Sequence, residues 1–76
     1  MDILKELEII FQDVFDDESI KLQETTNAND IEDWDSLMQV RLIVAIEKNF
    51  SIKFTLEEVQ ALNNVGDMVK LIQSKI

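Results

Sequence analysis

The stretch that decides the fold is Trp34-Asp35-Ser36-Leu37-Met38-Gln39-Val40-Arg41-Leu42-Ile43-Val44-Ala45-Ile46-Glu47-Lys48-Asn49-Phe50, where an acidic segment gives way to an apolar run without glycine or proline. Leu37, Met38, Val40, Leu42, Ile43, Val44, Ala45, Ile46 and Phe50 are too many apolar positions for one narrow stripe. The spacing predicts a helix over 37–50 that packs inward and also offers an apolar patch outward. Ser36, at its start, is the residue to explain. Serine is favoured at helix N-caps, and Gln39 stands where it completes a Ser-x-x-Gln capping box, so the local expectation is a capping serine whose replacement by Ala costs about 1 kcal/mol. A serine there is also exposed and close to backbone amides and a positive dipole end that favour a phosphate group.

Upstream of this run, Ile3, Leu4, Leu7, Ile10, Phe11, Val14 and Phe15 recur at helical spacing with Lys5, Glu6, Glu8, Gln12 and Asp13 opposite, which predicts a first helix over 2–15. From Asp16 to Asp35 the period is lost and turn-prone Thr25, Thr26, Asn27, Asn29 and Asp30 cluster, so a long loop is expected, pinned by Ile20, Leu22 and Ile31. Downstream, Thr55 with Glu58 forms a capping box for a short helix over 56–61, and Asn64 with Asp67 caps a last helix whose core stripe is Val65, Met68, Val69, Ile72 and Ile76. No alternating pattern of useful length appears beyond Ile52-Lys53-Phe54. The expected architecture is all-α: a small four-helix bundle of three longer helices and one short one, with a long loop between helices one and two.

Seventy-six residues fit one domain, 1–76, near the lower size limit for a single core. There is no cysteine for a disulfide, no run of the roughly 20 apolar residues that span a bilayer, and no basic leader in MDILKELEII. A cytoplasmic monomer is expected. Seven Lys/Arg against sixteen Asp/Glu give a net charge of -9, which disfavours nucleic acid and anionic membranes as partners. Without His or Cys the chain cannot activate Ser36 through a Ser-His or Cys-His arrangement, so it is expected not to be an enzyme. The acidic run Asp30, Glu32, Asp33, Asp35 lacks the glycine and spacing of a calcium loop, and no dedicated metal site is expected.

Asp35-Ser36-Leu37 after a long acidic loop, the helix ending Ala45-Ile46-Glu47-Lys48-Asn49-Phe50, then Ile52, the 54–58 segment and a closing amphipathic helix together resemble the acyl carrier proteins and their peptidyl and aminoacyl relatives. The resemblance runs nearly end to end. It implies that Ser36 receives a phosphopantetheine arm from coenzyme A through a separate, magnesium-using phosphopantetheinyl transferase, and that the arm's thiol carries an acyl group as a thioester between acyl-loading and acyl-transfer or synthase enzymes. Asp35 and Leu37 become parts of the recognition motif. The second helix becomes the face that partners contact, here Met38, Val40, Arg41, Ile43, Val44, Glu47 and Lys48 with Leu37.

The chain departs from the fatty-acid synthesis type within that family. Its second helix holds Arg41 and Lys48 against a single Glu47, where that type is distinctly acidic, and Trp34 stands where that type tends to have a small residue. Trp34 itself is expected as a lid over the bundle end. The resemblance as a whole implies a carrier for a fatty-acid, polyketide or related specialised pathway, and these departures favour a dedicated one, such as polyketide, lipid-modification or aminoacyl-transfer chemistry, over general fatty-acid synthesis. An aminoacyl or peptidyl carrier, and an unmodified acidic helical adaptor in which Ser36 merely caps its helix, are the alternatives.

Overall fold

The computed structural model describes residues 2–76 and folds them into α1 (Ile3–Val14), α2 (Ser36–Phe50), α3 (Leu56–Gln60) and α4 (Val65–Lys75). Each helix opens on a side-chain oxygen that accepts from the backbone N–H three residues on. Asp2 accepts from Lys5 at 3.1 Å, Asp35 from Met38 at 2.9 Å, Thr55 from Glu58 at 3.1 Å and Asn64 from Asp67 at 2.9 Å. At α3 the capping box closes, since the Glu58 carboxylate accepts in return from Thr55 N–H at 2.8 Å, and Lys75 on α4 pairs with Glu58 at 3.1 Å. These bonds, led by the one from Thr55, hold the Glu58 carboxyl below the ordinary glutamate range.

The start of α2 corrects the expected cap by one residue. Asp35, with φ -116° and ψ -171°, is the N-cap, and Ser36 is the first helical residue. Aspartate caps as well as serine does, and its negative charge also gains from the helix dipole. Gln39 closes no capping box; its side-chain carbonyl accepts instead from the indole N–H of Trp34 at 2.6 Å.

With no proline and one glycine in the chain, the two long helices end on non-glycine residues in the left-handed region, Asp16 at φ 52° and Ser51 at φ 56°. After α1, Asp17 N–H donates to Gln12 O at 3.0 Å and Asp16 N–H to Asp13 O at 3.3 Å. After α2, Ile52 N–H donates to Glu47 O at 3.1 Å. Both reversals satisfy end carbonyls that a helix leaves without internal partners.

The core is built from Leu7 and Phe11 of α1, Leu42 and Ile46 of α2, and Val65, Met68 and Ile72 of α4, all fully buried or nearly so. Each such side chain contributes on the order of 1.5–3 kcal/mol of burial. Ile76 does not join the stripe: helical geometry stops at Lys75 and Ile76 is exposed. Among the described residues there is no strand, and no helix is long and apolar enough to cross a membrane.

The loop from 16 to 35 is fastened to the bundle along its length. Ile20 and Leu22 are buried and Ile31 packs against the core. Two α1 side chains grip its backbone: Gln12 donates to Ile20 O at 2.9 Å, and Glu8 accepts from Leu22 N–H at 3.0 Å. Farther on, the first amides of α4 serve as its anchors, Val65 N–H donating to Thr26 O at 2.8 Å and Gly66 N–H to Glu24 O at 2.7 Å. This approach is why position 66 is glycine, because a Cβ there would lie 2.9 Å from the Glu24 carbonyl oxygen.

Two expected outcomes follow from these contacts. In urea unfolding, Asp35→Ala should lose about 1 kcal/mol as a removed N-cap, while Ser36→Ala should stay within about 0.5 kcal/mol; the reverse order would return the cap to Ser36. Gly66→Ala should lose about 1–3 kcal/mol by pushing the loop off α4, with the amides of Glu24 and Thr26 shifting most by NMR; unchanged stability would mean the loop yields freely.

Candidate functional site

Ser36 sits exposed at the mouth of α2, and its position is set by the two residues before it. Asp35 spends its carboxylate on the cap, so the serine hydroxyl is not committed to holding the helix start. Trp34 packs its ring edge-on to Phe11 of α1 at 5.1 Å and 82°, with Phe15, the residue that follows that helix, at 6.4 Å. Such tilted aromatic pairs contribute about 0.5–1.5 kcal/mol beyond burial. The tryptophan therefore closes the bundle end as expected and anchors the chain one residue before the cap.

Two depressions flank this point. The first, of about 510 Å³, lies directly beside Ser36 and is lined by Trp34, Asp35, Gln39, Val59, Leu62 and Met68 among others. The second, of about 310 Å³, runs between α2 and α3 and is almost wholly apolar, formed by Val40, Ile43, Val44, Phe54, Leu56 and Val59 with Gln39 at one end. Among the described residues no three His, Cys, Asp or Glu side chains gather to hold a metal ion.

The outer face of α2 is apolar with positive flanks. Leu37 and Val40 are each 61% exposed and Val44 44%, while Arg41 and Lys48 are exposed beside them and Met38 is half-buried. Two residues expected on this face are engaged elsewhere. Ile43 turns inward at 9% exposure and forms a wall of the apolar groove. Glu47 is half-buried, and its carboxylate accepts from Phe54 N–H at 2.8 Å, which fixes the segment leading to α3.

Reading the residues alone also misses Gln39, Val59 and Leu56, the last 72% exposed on the groove's rim. A signal for Gln39 exists: a packed tryptophan has one N–H that needs an acceptor, and Gln39 stands five residues away. Val59 and Leu56 carry no such signal, because only the packing of α3 brings them against α2.

The family model for a phosphopantetheine attachment site matches residues 5–72. Among curated proteins no significant match was found. The solution NMR structure of a holo acyl carrier protein from Geobacter metallireducens is similar at 51% identity, covering 99% of this chain and 86% of that one, with a TM-score of 0.93. Four helices in the same arrangement and a family match over nearly the whole length lead to one conclusion: the chain belongs to the acyl carrier proteins, the family built on a phosphopantetheine attachment site, and is a carrier with a covalently attached phosphopantetheine and not an enzyme.

Proposed function

We propose that Ser36 is the attachment point and that the chain is a specialised acyl carrier serving a dedicated pathway, such as polyketide, lipid-modification or aminoacyl-transfer chemistry, in place of general fatty-acid synthesis. The observation that carries the attachment reading is the exposed hydroxyl of Ser36 at the first position of α2, with the cap supplied by Asp35. The residues fit the group. A phosphodiester at this serine meets the positive end of the α2 dipole, and the cleft of about 510 Å³ opens beside it.

When bound, the arm supplies a terminal thiol on which an acyl group is held as a thioester. Attachment needs a phosphopantetheinyl transferase with coenzyme A and magnesium. The Ser36 hydroxyl oxygen bonds to the phosphorus that bears pantetheine, the bond from that phosphorus to the bridging pyrophosphate oxygen breaks, and the adenosine bisphosphate half leaves. The serine proton passes to a base of the transferase, since this chain has no His or Cys to receive it. Asp35 and Leu37 present the serine to that enzyme, Asp35 by fixing the helix start and Leu37 as an exposed apolar contact.

The docking face for acyl-handling enzymes is Leu37, Met38, Val40, Arg41, Val44 and Lys48. With Arg41 and Lys48 exposed and Glu47 bound to the backbone of Phe54, this face supports partners that do not rely on a basic patch. That, with Trp34 beside the motif, is what favours a specialised pathway.

The attachment reading is tested by intact-protein mass spectrometry after incubation with coenzyme A, Mg²⁺ and a broad-specificity phosphopantetheinyl transferase. One phosphopantetheine per chain is expected, located on Ser36 by fragmentation and absent in Ser36→Ala; an adduct on the Ala variant would refute the site. For the docking face, Arg41→Glu should tighten binding to a fatty-acid synthesis enzyme with a basic docking surface by about 0.5–1 kcal/mol at low salt, fading at high salt. Unchanged or weaker binding at low salt would count against the charge argument.

A further inference from the structure

The cleft beside Ser36 and the apolar groove between α2 and α3 meet at two residues, Gln39 and Val59, which line both. Gln39 lies one helical turn beyond Ser36, so the two share a side of α2, and Val40, Ile43 and Val44 continue from it along the groove. An acyl chain on the arm's terminal thiol that passes from the cleft into the groove therefore meets the Gln39 amide. That amide is not loose. An indole nitrogen can only donate, so it is the carbonyl of Gln39 that faces Trp34 Nε1 at 2.6 Å, and the indole is itself wedged against Phe11 at 5.1 Å and Phe15 at 6.4 Å.

We propose that Gln39, held by the Trp34 indole, is the partition between the Ser36 cleft and the apolar groove, and that this pair sets which cargoes are sheltered. Resting on the reading of Ser36 as the attachment point, the proposal adds a specificity-determining residue, Gln39, and a positioning residue, Trp34, that acts through it. A short or polar acyl group stays in the cleft. An aliphatic chain crosses from the cleft into the groove past a polar side chain whose hydrogen bond an apolar chain cannot replace. The groove's volume of about 310 Å³ lies at the lower edge of ordinary ligand pockets, roughly 300–1,000 Å³, so it suits one chain of modest length.

The test loads wild type, Trp34→Phe, Gln39→Ala and the double variant from acetyl- and octanoyl-coenzyme A with a phosphopantetheinyl transferase. Methyl NMR then compares the two cargoes. Trp34→Phe keeps a ring against Phe11 and Phe15 while removing the donor. In wild type, octanoyl is expected to shift Leu62 and Met68 of the cleft but not Val40, Val44 or Leu56 of the groove. In Gln39→Ala and Trp34→Phe it should shift the groove methyls as well, and the double variant should match Gln39→Ala, as for two residues acting through one contact. Equal groove shifts in all four proteins, or groove shifts in none, would overturn the partition. Failure of the carrier reading is seen separately, as no adduct by mass spectrometry. Independently of loading, hydrogen exchange of the Trp34 indole N–H in the unmodified chain tests the bond that holds Gln39: it should speed up about tenfold in Gln39→Ala, and an unchanged rate would overturn the proposal.

Discussion

Two backbone hydrogen bonds, from Val65 and Gly66 N–H to the carbonyls of Thr26 and Glu24, are the constraint on which the rest of this small bundle depends. A helix start leaves its first amides without internal partners, and a long loop leaves its carbonyls in the same state. Here each deficit satisfies the other. The loop is thereby fixed against α4 as well as against Glu8 and Gln12 of α1, and its far end, Trp34 to Ser36, arrives at a defined place. In a chain without cysteine or proline, no covalent device could do this.

The same economy governs the charges. Most carboxylates lie on the surface, but several are spent on backbone groups: Asp2 and Asp35 open helices, Glu8 and Glu47 grip loop amides, and Glu58 closes a capping box. The overall charge of -9 is nevertheless not spread evenly over the surface. The outer face of α2 is the main exception, apolar along Leu37, Val40 and Val44 and edged by two cations.

Much of the fold was legible in the residues because its determinants are local. The four helices follow from apolar spacing and caps, and Thr55 with Glu58 and Asn64 with Asp67 cap as their spacing predicts. What escaped was decided by contacts distant in sequence or shared between backbone groups. Asp35 and Ser36 are both good caps, and the choice fell to the extended geometry at Asp35, next to a tryptophan held by α1. Ile43 and Glu47 sit at plausible surface positions of α2 until the segment before α3 folds back to cover one and donate to the other. The ties of the loop to α4 join main-chain atoms, which every residue has, so only the lone glycine hinted at them.

Trp34 is the chain's one tryptophan, and it stands beside Ser36 with its ring edge-on to Phe11 and its nitrogen bonded to Gln39. Its fluorescence accordingly arises from a single emitter placed at the point where loop, bundle end and candidate site converge. Both the polarity around the ring and the bond at its nitrogen act on that emission, so the molecule carries its own optical label at the position where a change of state has the most to report.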